Sequence, residues 1–181
     1  EQLDVINPAT EEIFAVCPRA TEETLNMAIA AAKAAFPAWA ATPMDERCKA
    51  LDTIADIVES NKDELSRILT AEQGKPLGEA EIEVLTTVAF FRYYAGLRLE
   101  PEIIDETEES KVELHRKPLG VIGAITPWNF PLLIMAVKLP AALAAGNTVI
   151  LKPAPTTPLA TLKLCELIAE ALPAGVLNTI T

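Results

Sequence analysis

The stretch Gly120-Val121-Ile122-Gly123-Ala124-Ile125-Thr126-Pro127-Trp128-Asn129-Phe130-Pro131 opens the segment that decides the fold. An apolar run over Val121–Thr126 predicts a strand, the proline-bounded turn stops it, and the apolar stretch Leu132–Ala145 is long enough for a helix. The pattern then repeats, with Thr148–Lys152 as strand, Pro158–Ala171 as helix and Val176–Thr181 as strand. This βαβαβ order predicts an α/β fold built on a parallel, doubly wound sheet. Gly146 ends the first helix, Thr157-Pro158 starts the second, and Pro173 with Gly175 ends it. Val149-Ile150-Leu151 is the unbroken apolar run of a strand covered on both faces. Such sheets bind ligands beyond the carboxyl ends of their strands, which directs attention to Thr126–Phe130 and Lys152–Thr156.

Upstream, the chain reads as helices in an acidic layer. After extended pieces at Leu3–Ile6 and Ile13–Val16, Thr21 caps a helix whose first turn carries Glu22 and Glu23, and Pro37 marks its end. Thr42 followed by Pro43 predicts a second cap, with Arg47, Leu51, Ile54, Ala55 and Val58 at helical spacing beyond it. A third helix runs from about Asp63 to Gly74. A fourth, from about Glu79 to Leu99, carries Phe90, Phe91, Tyr93 and Tyr94, which read as core and helix-packing residues rather than a ligand box. A hairpin follows, Ile103–Thr107 and Val112–Lys117 joined through Glu108-Glu109-Ser110. Its mixed faces suit a sheet edge or a partner subunit.

Composition excludes several classes of function. The 181 residues hold 15 Lys+Arg against 26 Asp+Glu, a net charge of −11, with half of the chain hydrophobic. Residues 1–113 carry a net −14 and residues 114–181 a net +3, so the two parts have different jobs. An acidic chain without a basic stripe does not fit a nucleic-acid backbone. Pro118 to Val137 is uncharged for twenty residues, but Gly120, Gly123, Pro127 and Pro131 break it, so no membrane span is expected. Cys17, Cys48 and Cys165 stand far apart, without CxxC spacing, and predict reduced thiols in a cytoplasmic protein. One histidine, His115, expected on a strand surface, cannot assemble a metal site, and no metal is assigned. The chain opens on Glu1 with no charged-then-apolar leader and reads as a trimmed sequence.

The GxGxxG fingerprint of standard dinucleotide sites is absent. The Pro127-Trp128-Asn129-Phe130-Pro131 turn offers a different chemistry. Asn129 has two readings: a turn former bonding its own backbone, or an amide whose N–H stabilises an oxyanion on a carbonyl carbon, a role worth about 3 kcal/mol.

The run from His115 to Pro131, followed by Lys138-Leu139-Pro140-Ala141-Ala142-Leu143-Ala144-Ala145-Gly146-Asn147 and Leu151-Lys152-Pro153, resembles the NAD(P)-dependent aldehyde dehydrogenase superfamily. The likeness extends from Asn7-Pro8-Ala9-Thr10-Glu11-Glu12 through Glu72-Gln73-Gly74-Lys75-Pro76 and covers roughly the first third or more of such an enzyme. In that family a cysteine thiolate attacks an aldehyde, a hydride passes to nicotinamide, and a glutamate-activated water releases the acid from a thioester. The resemblance implies that Asn129 is the oxyanion-stabilising asparagine. It implies that Ile125, Thr126, Pro127 and Trp128, with Ala154 and Pro155, line the cofactor cleft and that Lys152 bonds a hydroxyl of the adenosine ribose. It also implies that Phe130 and Ile134 line the aldehyde tunnel and that Lys138 lies near the proton relay. NAD or NADP is the implied cofactor, a small aldehyde the substrate, and a homodimer or homotetramer the assembly. Residues 1–102 would be the N-terminal helical part of the cofactor-binding domain, 103–117 the bridging and oligomerisation hairpin, and 118–181 the cofactor-binding core.

Two departures stand out. Pro155 occupies the position where many members carry a ribose-binding glutamate, so charge-based rejection of a 2′-phosphate is weaker here. The nicotinamide loop, general base and nucleophilic cysteine have no counterpart in these residues, and Cys165 reads as a small buried hydrophobe. The 181 residues alone are therefore expected to be inactive. Two other readings compete: a non-catalytic chain binding nucleotide or a partner, and an acyl-phosphate reductase relative.

Overall fold

Along residues 1–181, all described by a computed structural model, strands β1 (Gln2–Asn7) and β2 (Glu12–Pro18) pair antiparallel before four helices. These are α1 (Glu22–Ala41), α2 (Met44–Ser60), α3 (Lys62–Gln73) and α4 (Leu77–Gly96). The hairpin β3 (Glu102–Glu106) and β4 (Lys111–Leu114) leads into β5 (Val121–Ile125), α5 (Pro131–Ala144), β6 (Thr148–Lys152), α6 (Leu159–Leu167), a short 3-10 turn (Ala169–Ala171) and β7 (Leu177–Thr179). Strands β5, β6 and β7 form a parallel sheet in that order. Ile122 pairs with Val149, Ile125 with Lys152 and Leu151 with Thr179.

Alternation along β6 assigns its two faces. Val149 and Leu151 enter the main core with Leu132, Met135 and Leu139 of α5 and Leu164 of α6. Ile150 points the other way, onto Ala28 and Ala32 of α1. Small residues on α1 let its backbone approach the sheet, and the sheet is thus covered on both faces, as an unbroken apolar strand requires. Helices α2, α3 and α4 form a further layer behind α5 and α6, contributing Leu51, Ile54, Leu65, Leu69, Val84 and Phe91 to the same core. A fully buried leucine adds about 2 kcal/mol by area removed from water, so this layer is a principal source of stability.

Three sequence expectations are corrected. Pro37 does not end α1, which continues to Ala41. Proline removes one N–H and crowds the carbonyl four residues back, but Pro37 and Lys33 face solvent while Trp39 beyond them is buried, and that burial carries the helix onward. Thr42 does not cap α2. Its hydroxyl donates to the Ala38 carbonyl at 3.0 Å and closes α1, while Pro43 takes the cap position. The fourth helix spans Leu77–Gly96 rather than Glu79–Leu99, and of its aromatics Phe91 is fully buried whereas Tyr93 is exposed, edge-on to Tyr94.

The remaining boundaries shift less. The last helix gives way to the 3-10 turn after Leu167, and the last strand is only Leu177–Thr179. The second hairpin strand stops at Leu114, so His115 lies just past it, exposed and bonded to Glu113 at 2.9 Å. Every residue of β3 and β4 is exposed. No helix is long and apolar enough to cross a membrane.

Candidate functional site

Strand β5 ends where its neighbour does. The Thr126 N–H donates to the Lys152 carbonyl at 3.0 Å, which brings Thr126–Phe130 and Lys152–Thr157 together at the carboxyl end of the sheet. Bonds along a strand alternate in direction, so the Ile125 carbonyl turns away from β6, where the Lys138 ammonium donates to it. Ile125, Trp128 and Phe130 are exposed around this end.

The turn itself is held by its backbone. The Thr157 hydroxyl donates to the Trp128 carbonyl at 3.2 Å and the Lys75 ammonium to the Asn129 carbonyl at 3.0 Å. Beyond it, the Leu132 and Leu133 N–H groups donate to one Glu83 oxygen at 2.9 and 3.1 Å. A helix start leaves its first N–H groups without partners, and at α5 a carboxylate from α4 supplies them. Glu72 of α3 does the same for α6, accepting from Leu159 and Ala160 at 2.6 and 2.9 Å. Burial pushes the Glu72 carboxyl up to about 7, with the two N–H donors pulling the other way and the Glu83 charge adding to the rise.

Against this fixed backbone the Asn129 side chain is uncommitted. It is exposed and makes no hydrogen bond within the protein. Asn7, Asn61, Asn147 and Asn178 each engage backbone groups instead. The Asn129 side chain makes no bond to its own backbone of the kind a turn former would make; its carbonyl is held by Lys75 instead.

The other sequence-predicted residues gather around the same strand ends. Thr126 is buried with its hydroxyl unpartnered. Lys152 is half-buried and donates only to the Pro153 carbonyl, at 3.5 Å. With Pro155, Leu25, Ile180 and Thr181 it lines a cleft of about 580 Å³, in which the one carboxylate belongs to Glu22. A second cleft of about 420 Å³ lies beside Trp128, Thr156 and Thr157, with Glu72 in its wall. Pro127 is exposed, Ala154 and Ile134 are half-buried, and Lys138 is exposed on α5.

A nicotinamide dinucleotide fits these residues: an unpaired buried hydroxyl at Thr126 and an almost unpaired ammonium at Lys152 are donors awaiting acceptors at the end of a parallel sheet. No cysteine joins them. Cys17 and Cys48 are buried, the latter beside the Tyr94 and Leu97 carbonyls, and burial pushes the Cys165 thiol up to about 11.

Glu72, Lys75 and Glu83 were missed by sequence reasoning as parts of the site. The signal was present: Glu72 follows Leu65 and Leu69 on the buried face of α3, and Glu83 sits among Ala80, Val84, Thr87 and Phe91 on that of α4. A carboxylate on a core stripe requires a partner elsewhere in the fold.

The sequence pattern described as the aldehyde dehydrogenase family matches residues 1–181. A fluoroacetaldehyde dehydrogenase from Streptantibioticus cattleyicolor is 45% identical over 176 residues, covering 96% of this chain and 35% of that protein. Among solved structures, a betaine aldehyde dehydrogenase variant from Staphylococcus aureus in complex with NAD+ superimposes with a TM-score of 0.94 at 34% identity, over 99% of this chain and 38% of its own. Glyceraldehyde-3-phosphate dehydrogenase from Methanocaldococcus jannaschii, complexed with NADP, gives 0.94 at 32% identity, over 99% and 41%. The chain spans little more than a third of the length of the curated relatives it matches.

Proposed function

Because this chain belongs to the aldehyde dehydrogenase family, we propose that the protein carrying it oxidises an aldehyde to a carboxylic acid with NAD or NADP as the hydride acceptor. The free Asn129 amide on a backbone held in place by Lys75 and Thr157 carries this reading. When a thiolate adds to the aldehyde carbon, negative charge develops on the former carbonyl oxygen. An amide N–H presented there from a fixed backbone stabilises it with little reorganisation.

The remaining roles follow from position. Thr126, with a buried hydroxyl lacking any partner, and Lys152, in the wall of the 580 Å³ cleft, are assigned to the dinucleotide together with Ile125, Pro127, Trp128, Ala154 and Pro155. Once bound, the dinucleotide supplies the hydride acceptor. Pro155 offers no carboxylate against a 2′-phosphate, which supports use of either cofactor. Phe130 and Ile134 are assigned to the aldehyde, and Lys138, its ammonium on the Ile125 carbonyl, to proton relay. The thiolate and the base that frees the acid are assigned outside residues 1–181, since the raised thiols of Cys17 and half-buried Cys165 are poor nucleophiles and Cys48 is buried away from the turn; these residues alone should be inactive.

The hairpin within 103–117 exposes Ile103, Ile104, Val112 and Leu114, which supports an oligomer, homodimer or homotetramer, assembled through it. We take residues 1–102 and 118–181 as the two parts of the cofactor-binding domain. Three free cysteines support a reducing compartment, and the cytoplasm is the proposed one.

The test is Asn129→Ala in the intact protein. Its kcat should fall on the order of a hundredfold, with the KM for the dinucleotide little changed. An unaltered kcat would overturn the oxyanion assignment.

A further inference from the structure

Lys75 and Glu83 form a buried ion pair, with side chains 7% and 0% exposed. Such a pair is weak evidence for a stabilising role, because apolar residues of similar volume commonly hold helices together at least as well. The arrangement of the remaining donors and acceptors points elsewhere. One proton of the ammonium goes to a Glu83 oxygen, another to the Asn129 carbonyl at 3.0 Å, and the charge lies 4.1 Å from the Phe130 ring centroid. The second Glu83 oxygen takes the N–H groups of Leu132 and Leu133. A single ion pair therefore grips the chain at two points immediately after the Asn129 side chain, by the carbonyl of that residue and by the first N–H groups of α5. An apolar pair could fill the space but could not hold either end.

The approach of Lys75 is also fixed. Gly74 stands at φ +90°, where a Cβ would come within 2.7 Å of Pro8, and the Lys75 N–H is tied to the Gln73 side chain at 3.0 Å. A left-handed residue without a side chain turns the end of α3 so that the next residue faces inward.

We propose that Lys75, oriented by Glu83, is a positioning residue that sets the Asn129 amide for the oxyanion. This rests on the oxyanion reading of Asn129. Lys75 touches no reacting atom; it fixes the peptide from which the donor projects, and a small displacement of such a donor costs turnover rather than binding.

A double-mutant cycle on the intact dehydrogenase tests it, using K75M/E83Q, N129A and the combination, with kcat and KM measured for an aldehyde and for NAD. Gln at 83 keeps an acceptor for α5 while the charge pair is removed. The pair variant should lose about 10- to 100-fold in kcat with the KM for NAD held within about twofold. In the N129A background the same change should cost less than about twofold, because the donor it positions is gone. A pair variant with full kcat, or a loss that multiplies undiminished onto that of N129A, overturns the proposal and leaves the oxyanion reading standing. A normal kcat for N129A overturns both. Should the pair variant not accumulate as folded protein, K75R carries the same cycle. It keeps the charge opposite Glu83 but presents a rigid planar fork in place of a rotating ammonium, and its expected several-fold loss must vanish in N129A; full kcat for K75R overturns the proposal.

Discussion

Helix α1 and helix α5 begin in opposite ways. Helix α1 carries its own start: Thr21 accepts from the Thr24 N–H at 3.2 Å, and the Thr24 hydroxyl returns the favour to the Thr21 N–H at 2.8 Å. Helix α5 has no side-chain cap of its own and takes one from Glu83, 49 residues earlier; α6 takes one from Glu72, 87 residues earlier. The local cap lies on the exposed surface, whereas the two remote caps stand behind the Trp128–Phe130 turn. A helix start secured from elsewhere in the fold ties that turn to the core, and a helix start secured by its own residues does not.

The widest break of this contrast comes from Glu83→Ala. It strands the Lys75 ammonium in the core and frees two N–H groups, so denaturation of the intact protein should show a loss of about 3–5 kcal/mol. A loss below about 1 kcal/mol would mean that the remote cap is ornamental. Next comes Glu72, whose carboxyl rises from 4.5 to about 7 on folding. A raised carboxyl favours the protonated native state, so its contribution is complete below about pH 4.5 and is lost as pH climbs through 7. Between pH 5 and pH 8 the native protein should shed up to about 3 kcal/mol from this source. Glu72→Gln, which cannot ionise, should flatten that part of the profile, and an unchanged slope would refute the assignment. The smallest effect belongs to Thr21→Ala, about 1 kcal/mol. Its kcat at saturating dinucleotide should equal that of the native protein, since the local cap borders the Lys152 cleft but does not reach the turn; a kcat loss there would erase the distinction between the two kinds of start.

The same contrast explains what could be read from the sequence. Signals confined to a few neighbours were legible: β6 over Thr148–Lys152, the Thr21 cap, the stop at Gly74, and Asn129 on a proline-bounded turn at the sheet's carboxyl end. Local rules misled where burial intervened, as at Pro37, which the buried Trp39 overrides, and at Thr42, whose hydroxyl turns back to Ala38. The support of the site was illegible because it is distributed. Neither Lys75 nor Glu83 carries a pattern that names Asn129 or Leu132 as its partner, although a carboxylate on each buried helix face signals that some partner exists.

The long chain separation of these supports has a kinetic side. Lys75 and Asn129 lie 54 residues apart, and Glu72 and Ala160 lie 88 apart. Contacts of such separation bear the loop-closure cost before they return any stabilisation, so they belong to the late part of a folding reaction. On refolding, helical dichroism should therefore recover ahead of the turn that presents Asn129. The polar ties that hold the Trp128–Phe130 turn become the last part of the chain to be set in place.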